Sequence, residues 1–281
     1  MKKIFLASVA LSTIATAAVA ADLPYRRAAP APAFVAVPVF TWTGFYVGVN
    51  AGYATSDDRT TTTGNNGSPA GPGTLFNTLN DIRRNSVKQE RDGFTGGGQI
   101  GYNYQIGSFV FGIEADIAYT DLQTTSTVFG SRPAAAGFAA STYRTEMDYL
   151  GTVRGRIGYA MDRVMIYGTG GLAYGDVKNN QLFYAPGQGT GVLQFAGSRS
   201  EVMTGYAVGG GVEYAIPVST FSLFNSAVTL KAEALYYDLG KQSLAVSGVA
   251  PAGNPATSYT SRSENTGVIV RAGMNFKFNS F

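Results

Sequence analysis

Asn-Thr-Gly-Val-Ile-Val-Arg-Ala-Gly-Met-Asn-Phe-Lys-Phe-Asn-Ser-Phe, residues 265–281, closes the chain and decides how the rest of it reads. From Thr266 to Phe278 every second residue is apolar or lipid-compatible: Thr266, Val268, Val270, Ala272, Met274, Phe276 and Phe278. Gly267, Arg271, Gly273, Asn275 and Lys277 alternate with them, and Ile269 is the exception. A period of two gives a strand one greasy face and one polar face. Arginine, lysine and asparagine on one side, with paired phenylalanines ending the other, suit a wall with lipid outside and polar contents inside. The stretch is expected to be the closing strand of a transmembrane β-barrel. Phe276 and Phe278 are its expected anchors and assembly signal, with Phe281 as the alternative terminal aromatic.

Composition agrees with that reading. The 281 residues are 45% hydrophobic and 14% charged, with 36 Gly, 17 Tyr and 17 Phe, and the mean hydropathy is +0.02. A helical membrane protein needs runs of about 18 or more apolar residues, which the chain lacks beyond its N-terminus. Its apolar residues are instead interleaved with Gly, Asn, Thr and Tyr, as in a barrel. Net charge is +3, and loss of Lys2 and Lys3 with a signal peptide leaves 19 of the 21 basic residues against 18 acidic ones, so no nucleic-acid partner is expected. Cysteine is absent, which removes disulfides and thiolate metal sites. Histidine is absent too. Membrane-barrel hydrolases rely on histidine to activate a nucleophile or water, and no other side chain titrates unperturbed near neutral pH, so no enzymatic activity is expected.

The chain opens with Met1-Lys2-Lys3, an apolar run to Ala18, and the small-residue sequence Ala18-Val19-Ala20-Ala21-Asp22. Residues 1–20 read as a secretory signal peptide cleaved after Ala20 or, alternatively, Ala21. Residues 21–41, with Pro24, Pro30, Pro32 and Pro38, read as an extended Pro/Ala-rich periplasmic lead-in. Arg26 and Arg27 offer contacts to peptidoglycan or lipid phosphate, although a solvated tether is the simpler account. Residues 42–281 are expected to form the barrel.

Alternation marks the other strands. The first sets Phe45, Val47, Val49, Ala51 and Tyr53 against Tyr46, Gly48, Asn50 and Gly52. The second sends Phe94, Ile100, Tyr102 and Tyr104 outward, and the third Phe109, Phe111, Ile113, Ile117 and Tyr119. The fourth exposes Tyr149, Val153 and Ile157, the fifth Val164, Ile166, Leu172 and Tyr174. The sixth exposes Tyr206, Val208, Val212 and Tyr214, the seventh Val228, Leu230, Ala232, Ala234 and Tyr236. The fold class is therefore all-β: an eight-stranded antiparallel transmembrane β-barrel. Links at residues 105–108, 161–163 and 217–226 read as short periplasmic turns, and those at 55–92, 121–146, 175–202 and 240–264 as four long extracellular loops. A soluble lipocalin-type barrel would point the apolar set inward. Aromatics gathered at strand ends and charges of both signs on the other face favour lipid outside.

Glu114, Asp116, Arg154, Arg156, Glu213, Lys231, Glu233 and Arg271 all point inward, roughly five to nine residues from the periplasmic strand ends, and so fall in one mid-barrel layer. Strand adjacency pairs Glu114 and Asp116 with Arg154 and Arg156, and Lys231 and Glu233 with Arg271. An eight-stranded lumen barely holds its own side chains, so charges there must be paired or hydrated. Near-balance of sign favours a structural plug over a gate or solute site.

Trp42-Thr43-Gly44-Phe45-Tyr46-Val47-Gly48-Val49-Asn50-Ala51-Gly52-Tyr53, after a lead-in beginning Ala21-Asp22-Leu23-Pro24, resembles the alphaproteobacterial outer-membrane immunogenic proteins, which include haemin-binding barrels. The likeness extends to Gly93-Phe94-Thr95-Gly96-Gly97-Gly98-Gln99-Ile100-Gly101-Tyr102 and Tyr149-Leu150-Gly151-Thr152-Val153-Arg154-Gly155-Arg156-Ile157-Gly158-Tyr159. It implies a small, porin-like outer-membrane barrel acting in envelope integrity, surface antigenicity and sometimes haem capture. Asn279-Ser280-Phe281 departs from the family, whose chains usually stop at the aromatic that here is Phe278. The expected role is structural and surface-interacting, with limited solute passage or haem reception as alternatives. The expected partners are outer-membrane lipid and lipopolysaccharide, the barrel-assembly machinery, and host or environmental ligands met by the loops. No cofactor is expected; the haem alternative would need ligands such as Tyr143, Tyr184 or Tyr259, placed in loops.

Overall fold

The computed structural model describes residues 40–68, 73–131, 134, 137–217 and 227–278. The signal peptide with Ala20 and Ala21, the lead-in up to residue 39, most of the turn at 217–226, and the terminal residues 279–281 with Phe281 lie outside the described residues. Eight strands follow one another: β1 (Gly44–Gly64), β2 (Ser86–Ile106), β3 (Phe109–Phe129), β4 (Ala140–Met161), β5 (Val164–Tyr184), β6 (Leu193–Ala215), β7 (Ala227–Gly248) and β8 (Ser258–Lys277). A short helix, α1 (Thr74–Leu79), lies between β1 and β2. Each strand is antiparallel to its neighbours, and β8 pairs with β1 to close the barrel.

The period-two pattern is obeyed on both faces, except that Val228, expected to be exposed, is buried at the start of β7. Val268, Val270 and Phe278 are exposed, while Arg271, Asn275 and Lys277 are buried. Exposed aromatics form two rings: Phe45, Tyr104, Phe109, Tyr159, Tyr214 and Phe278 below, and Tyr53, Phe94, Tyr119, Tyr206 and Tyr236 above. The tilted strand from Phe109 to Tyr119 spans about 25 Å, the height of an apolar membrane band. Two-residue turns join β2 to β3 and β4 to β5 below the lower ring. The turn after β2 uses Gly107 at φ 60°, a left-handed conformation that costs glycine little. Elsewhere glycine makes room: a Cβ on Gly101 would lie 2.3 Å from Cζ of Tyr46, whose ring crosses it inside the barrel.

Strand takes up much of the four expected long loops. Beyond the upper aromatic ring the ladders continue, so each strand runs 20 to 23 residues, and the links shrink to residues 65–85, 130–139, 185–192 and 249–257. Threonine-rich segments such as Thr60-Thr61-Thr62-Thr63 suit a pleated surface, but water on the outer face removes the apolar half of the alternation. On the outer face of this upper storey charges face one another across strands, as in Lys88–Asp57 at 3.0 Å and Lys241–Glu264 at 2.8 Å. Such exposed pairs contribute about 0 to 1 kcal/mol each.

The upper storey is also less continuous than the membrane band. Pairing of β2 with β3 ends at Thr95 opposite Thr120. Pairing of β6 with β7 stops at Tyr206 opposite Asp238 and resumes only at Ala196 and Phe195. Except where β6 and β7 rejoin at the top, the storey therefore consists of two sheets, β7-β8-β1-β2 and β3-β4-β5-β6. Along the first seam the inward-directed Thr124, Ser126 and Val128 of β3 are only half-buried. β1 and β8 also part over residues 56–59, where Asp58 Oδ1 accepts the Thr266 N–H at 2.8 Å.

A closed membrane band leaves no edge from which to unravel. Unboiled protein in detergent is expected to migrate as a compact species on a gel, and to slow after boiling; identical mobility in both states would contradict closure.

Candidate functional site

The lumen is filled in layers. At the periplasmic end Trp42 is buried, stacked edge-on against Phe40 at 5.0 Å, and donates its indole N–H to the Asp162 carbonyl at 3.1 Å. Val110, Met165, Tyr167 and Ala215 pack round it. Sequence periodicity placed Trp42 only at the barrel's start, because it precedes β1 and belongs to no alternating run.

Above lies the charge layer, and all eight of its expected members are buried there. Arg154 holds three carboxylates: Nη2 is 2.8 Å from Glu114 and 2.9 Å from Asp116, and Nη1 is 3.1 Å from Glu233. Arg271 bridges Asp116 at 3.0 Å and Glu233 at 2.7 Å. Four carboxylates meet four cations, so formal charge cancels. Arg156 keeps the expected pairing with Glu114, at 3.8 Å, but its shorter bond is to Glu213 at 2.7 Å. One expected placement is corrected: Lys231 reaches across the lumen to Glu114 at 2.8 Å and does not join the Glu233–Arg271 pair. In so narrow a barrel a long side chain spans to the opposite wall, so strand adjacency does not decide its partner.

Remaining lone pairs are also taken up. The Tyr46 hydroxyl donates to Glu114 at 2.8 Å, Tyr167 to Glu233 at 3.0 Å, Thr152 to Asp116 at 2.5 Å, and Asn275 Nδ2 to Glu213 at 2.9 Å. The Arg156 guanidinium lies 4.0 Å from the Tyr167 ring centroid. Charges removed from water are tolerated when they are both paired and hydrogen-bonded, which is the condition met here. Tyr46 was legible as an inward residue of β1; Tyr167 was not placed, since Gly168 to Gly171 interrupt the apolar pattern of β5.

Over the charges sits an apolar layer including Leu122, Met147, Leu150, Val177, Leu235 and Ile269. Ile269, the exception in the closing strand, is inward and buried because its height falls in this layer. A polar tier follows, in which Arg91 pairs with Asp58, Thr60 donates to Gln89 at 3.0 Å, and Thr145 to Asn179 at 2.6 Å. The top tier packs Val87, Tyr143, Phe183, Phe195, Val246 and Tyr259, with Arg83 buried among the rings.

Tyr143, Tyr184 and Tyr259 are thus not loop residues. They lie in β4, β5 and β8, and Tyr143 and Tyr259 are fully buried in the top tier. Burial pushes the Tyr143 phenol up, disfavouring the phenolate that iron ligation would use.

At the end of β8, Phe276 is half-buried and Phe278 is exposed on the lipid side, with its N–H bonded to the Phe45 carbonyl at 2.8 Å. Phe278→Asp is expected to deplete folded protein from the outer membrane, whereas Phe129→Asp, above the band, should assemble normally. Heat-modifiable protein in membrane fractions reads the difference, and equal yields would remove Phe278 from the assembly signal.

The outer membrane protein beta-barrel domain family matches residues 7–276. The 31 kDa outer-membrane immunogenic protein of Brucella melitensis biotype 1 is 37% identical over 281 residues, covering 99% of this chain and all of that protein. The 22 kDa outer membrane protein of Rhizobium leguminosarum bv. viciae is 36% identical over 119 residues, 42% of this chain and 44% of its own length. Among solved structures, the outer membrane protease OmpT from Escherichia coli aligns with 85% of this chain and 98% of its own at a TM-score of 0.46 and 11% identity.

Proposed function

Because the chain belongs to the outer membrane protein beta-barrel domain family, as an outer-membrane immunogenic protein of the alphaproteobacterial kind, we propose that it is a non-enzymatic structural element of the envelope. In this role its barrel braces the outer membrane and its upper storey is the contact surface for lipopolysaccharide and for extracellular ligands. The observation that carries this reading is the filled lumen, sealed by Trp42 below, by neutralised charges in the middle and by an aromatic tier with Arg83 above. The charged groups of the middle layer are bound to one another, and an eight-stranded barrel filled with its own side chains leaves little room for solute. The extended strands, which hold their charge pairs clear of the aromatic rings, are built to meet what lies outside.

Deletion of the gene tests this. A strain without the protein is expected to become sensitive to detergent and to large antibiotics that the intact outer membrane excludes. Uptake of small hydrophilic solutes should stay unchanged. Normal detergent resistance combined with reduced solute uptake would reverse the reading.

A further inference from the structure

Four lumen arginines below the mouth, Arg91, Arg154, Arg156 and Arg271, each have a carboxylate partner. Arg83, just as deeply buried, has none among the described residues. Its Nη1 donates to the Ala140 carbonyl and the Ser141 hydroxyl, and its Nη2 to the Tyr184 carbonyl, all at 2.9 Å. Its Cζ lies 4.7 Å from the ring centroid of Phe183, 5.3 Å from Tyr259 and 6.0 Å from Phe195. Phe183 and Phe195 each meet Tyr259 edge-on, at 84° and 82°, so the rings wall a cage rather than a stack. A guanidinium is weakly hydrated, lies well on aromatic faces and presents a planar fork of donors, which is the chemistry these rings and carbonyls match. An ammonium is compact and strongly hydrated and lacks the fork.

The cage also straddles the two sheets. Arg83 belongs to the link between β1 and β2, while its acceptors lie on β4 and β5. We infer that the extracellular mouth is a guanidinium-binding cage whose resident, Arg83, latches the two upper sheets across the β2–β3 seam, and which accepts a guanidinium from outside once Arg83 is removed. Its hold rests on two carbonyls, one hydroxyl and ring faces, with no carboxylate among the described residues, and its Nε has no partner. The latch therefore gives way before the ion-paired layers beneath it.

The test compares the full chain with Arg83→Ala in lipid nanodiscs, following amide hydrogen exchange at residues 86–93 and 122–129. Loss of charge-assisted bonds should speed exchange along the seam by about tenfold or more. Millimolar methylguanidinium should restore slow exchange to Arg83→Ala, methylammonium should not, and wild-type protein should respond to neither. Failure of methylguanidinium to rescue, equal rescue by methylammonium, or an equal response from wild type would overturn the cage. Should Arg83→Ala not assemble, Arg83→Lys carries the test, since it keeps the charge without the fork. It should exchange faster than wild type, and a lysine variant as protected as wild type would overturn the assignment.

Discussion

Arg154→Ala is expected to lower the stability of the folded barrel by about 3 to 5 kcal/mol, the usual cost of removing one partner from a buried ion pair. Glu114, Asp116 and Glu233 all bind this guanidinium. Lys231 still serves Glu114 after the change, and Arg271 still serves the other two, but four carboxylates are left with three cations. The excess negative charge lies on carboxylates buried from bulk solvent. The fluorescence of Trp42, the chain's one tryptophan, reports unfolding in detergent. A midpoint equal to that of wild type would mean that the layer is hydrated and not the structural core described here. The pair Arg156–Glu213 offers a control. Replacing both with methionine should cost less than replacing Arg156 alone, because the double change leaves no orphaned charge.

Trp42→Ala should act at the other end of the lumen with comparable force. Truncation of a buried tryptophan typically costs about 3 to 5 kcal/mol. Here it removes the edge-on contact with Phe40, the bond to the Asp162 carbonyl and the cover over Met165. Heat-modifiability is then expected to be lost at a lower temperature than in wild type. Trp42→Phe keeps most of the volume and forfeits only the hydrogen bond, so its shift should be small. Equal shifts in the two variants would show that the hydrogen bond, and not the packing, closes the periplasmic end.

The membrane band was legible because lipid imposes a strict rule on every second residue. Strand number, inward charges and the Phe276–Phe278 end all follow from that rule. Above the band water relaxes it, and β1 continues through Asp57, Arg59 and Thr61 on its outer face without any apolar signal. That is why strand was read there as loop. Within the site, composition at one height could be inferred, since residues equally distant from the strand ends share a layer. Partner choice could not, because Lys231 and Glu114 are joined through the lumen and lie 117 residues apart. Arg83 was invisible for a related reason: it sits in a link without periodicity, and its burial depends on rings from β5, β6 and β8.

The most direct test of a filled, load-carrying lumen is conductance in planar bilayers. The wild-type protein is expected to give no stable open level above baseline, and the double variant Arg154→Ala, Arg156→Ala to conduct with a preference for cations set by Glu114, Asp116 and Glu213. A large, steady wild-type conductance that the double variant leaves unchanged would contradict the account and make the barrel a pore.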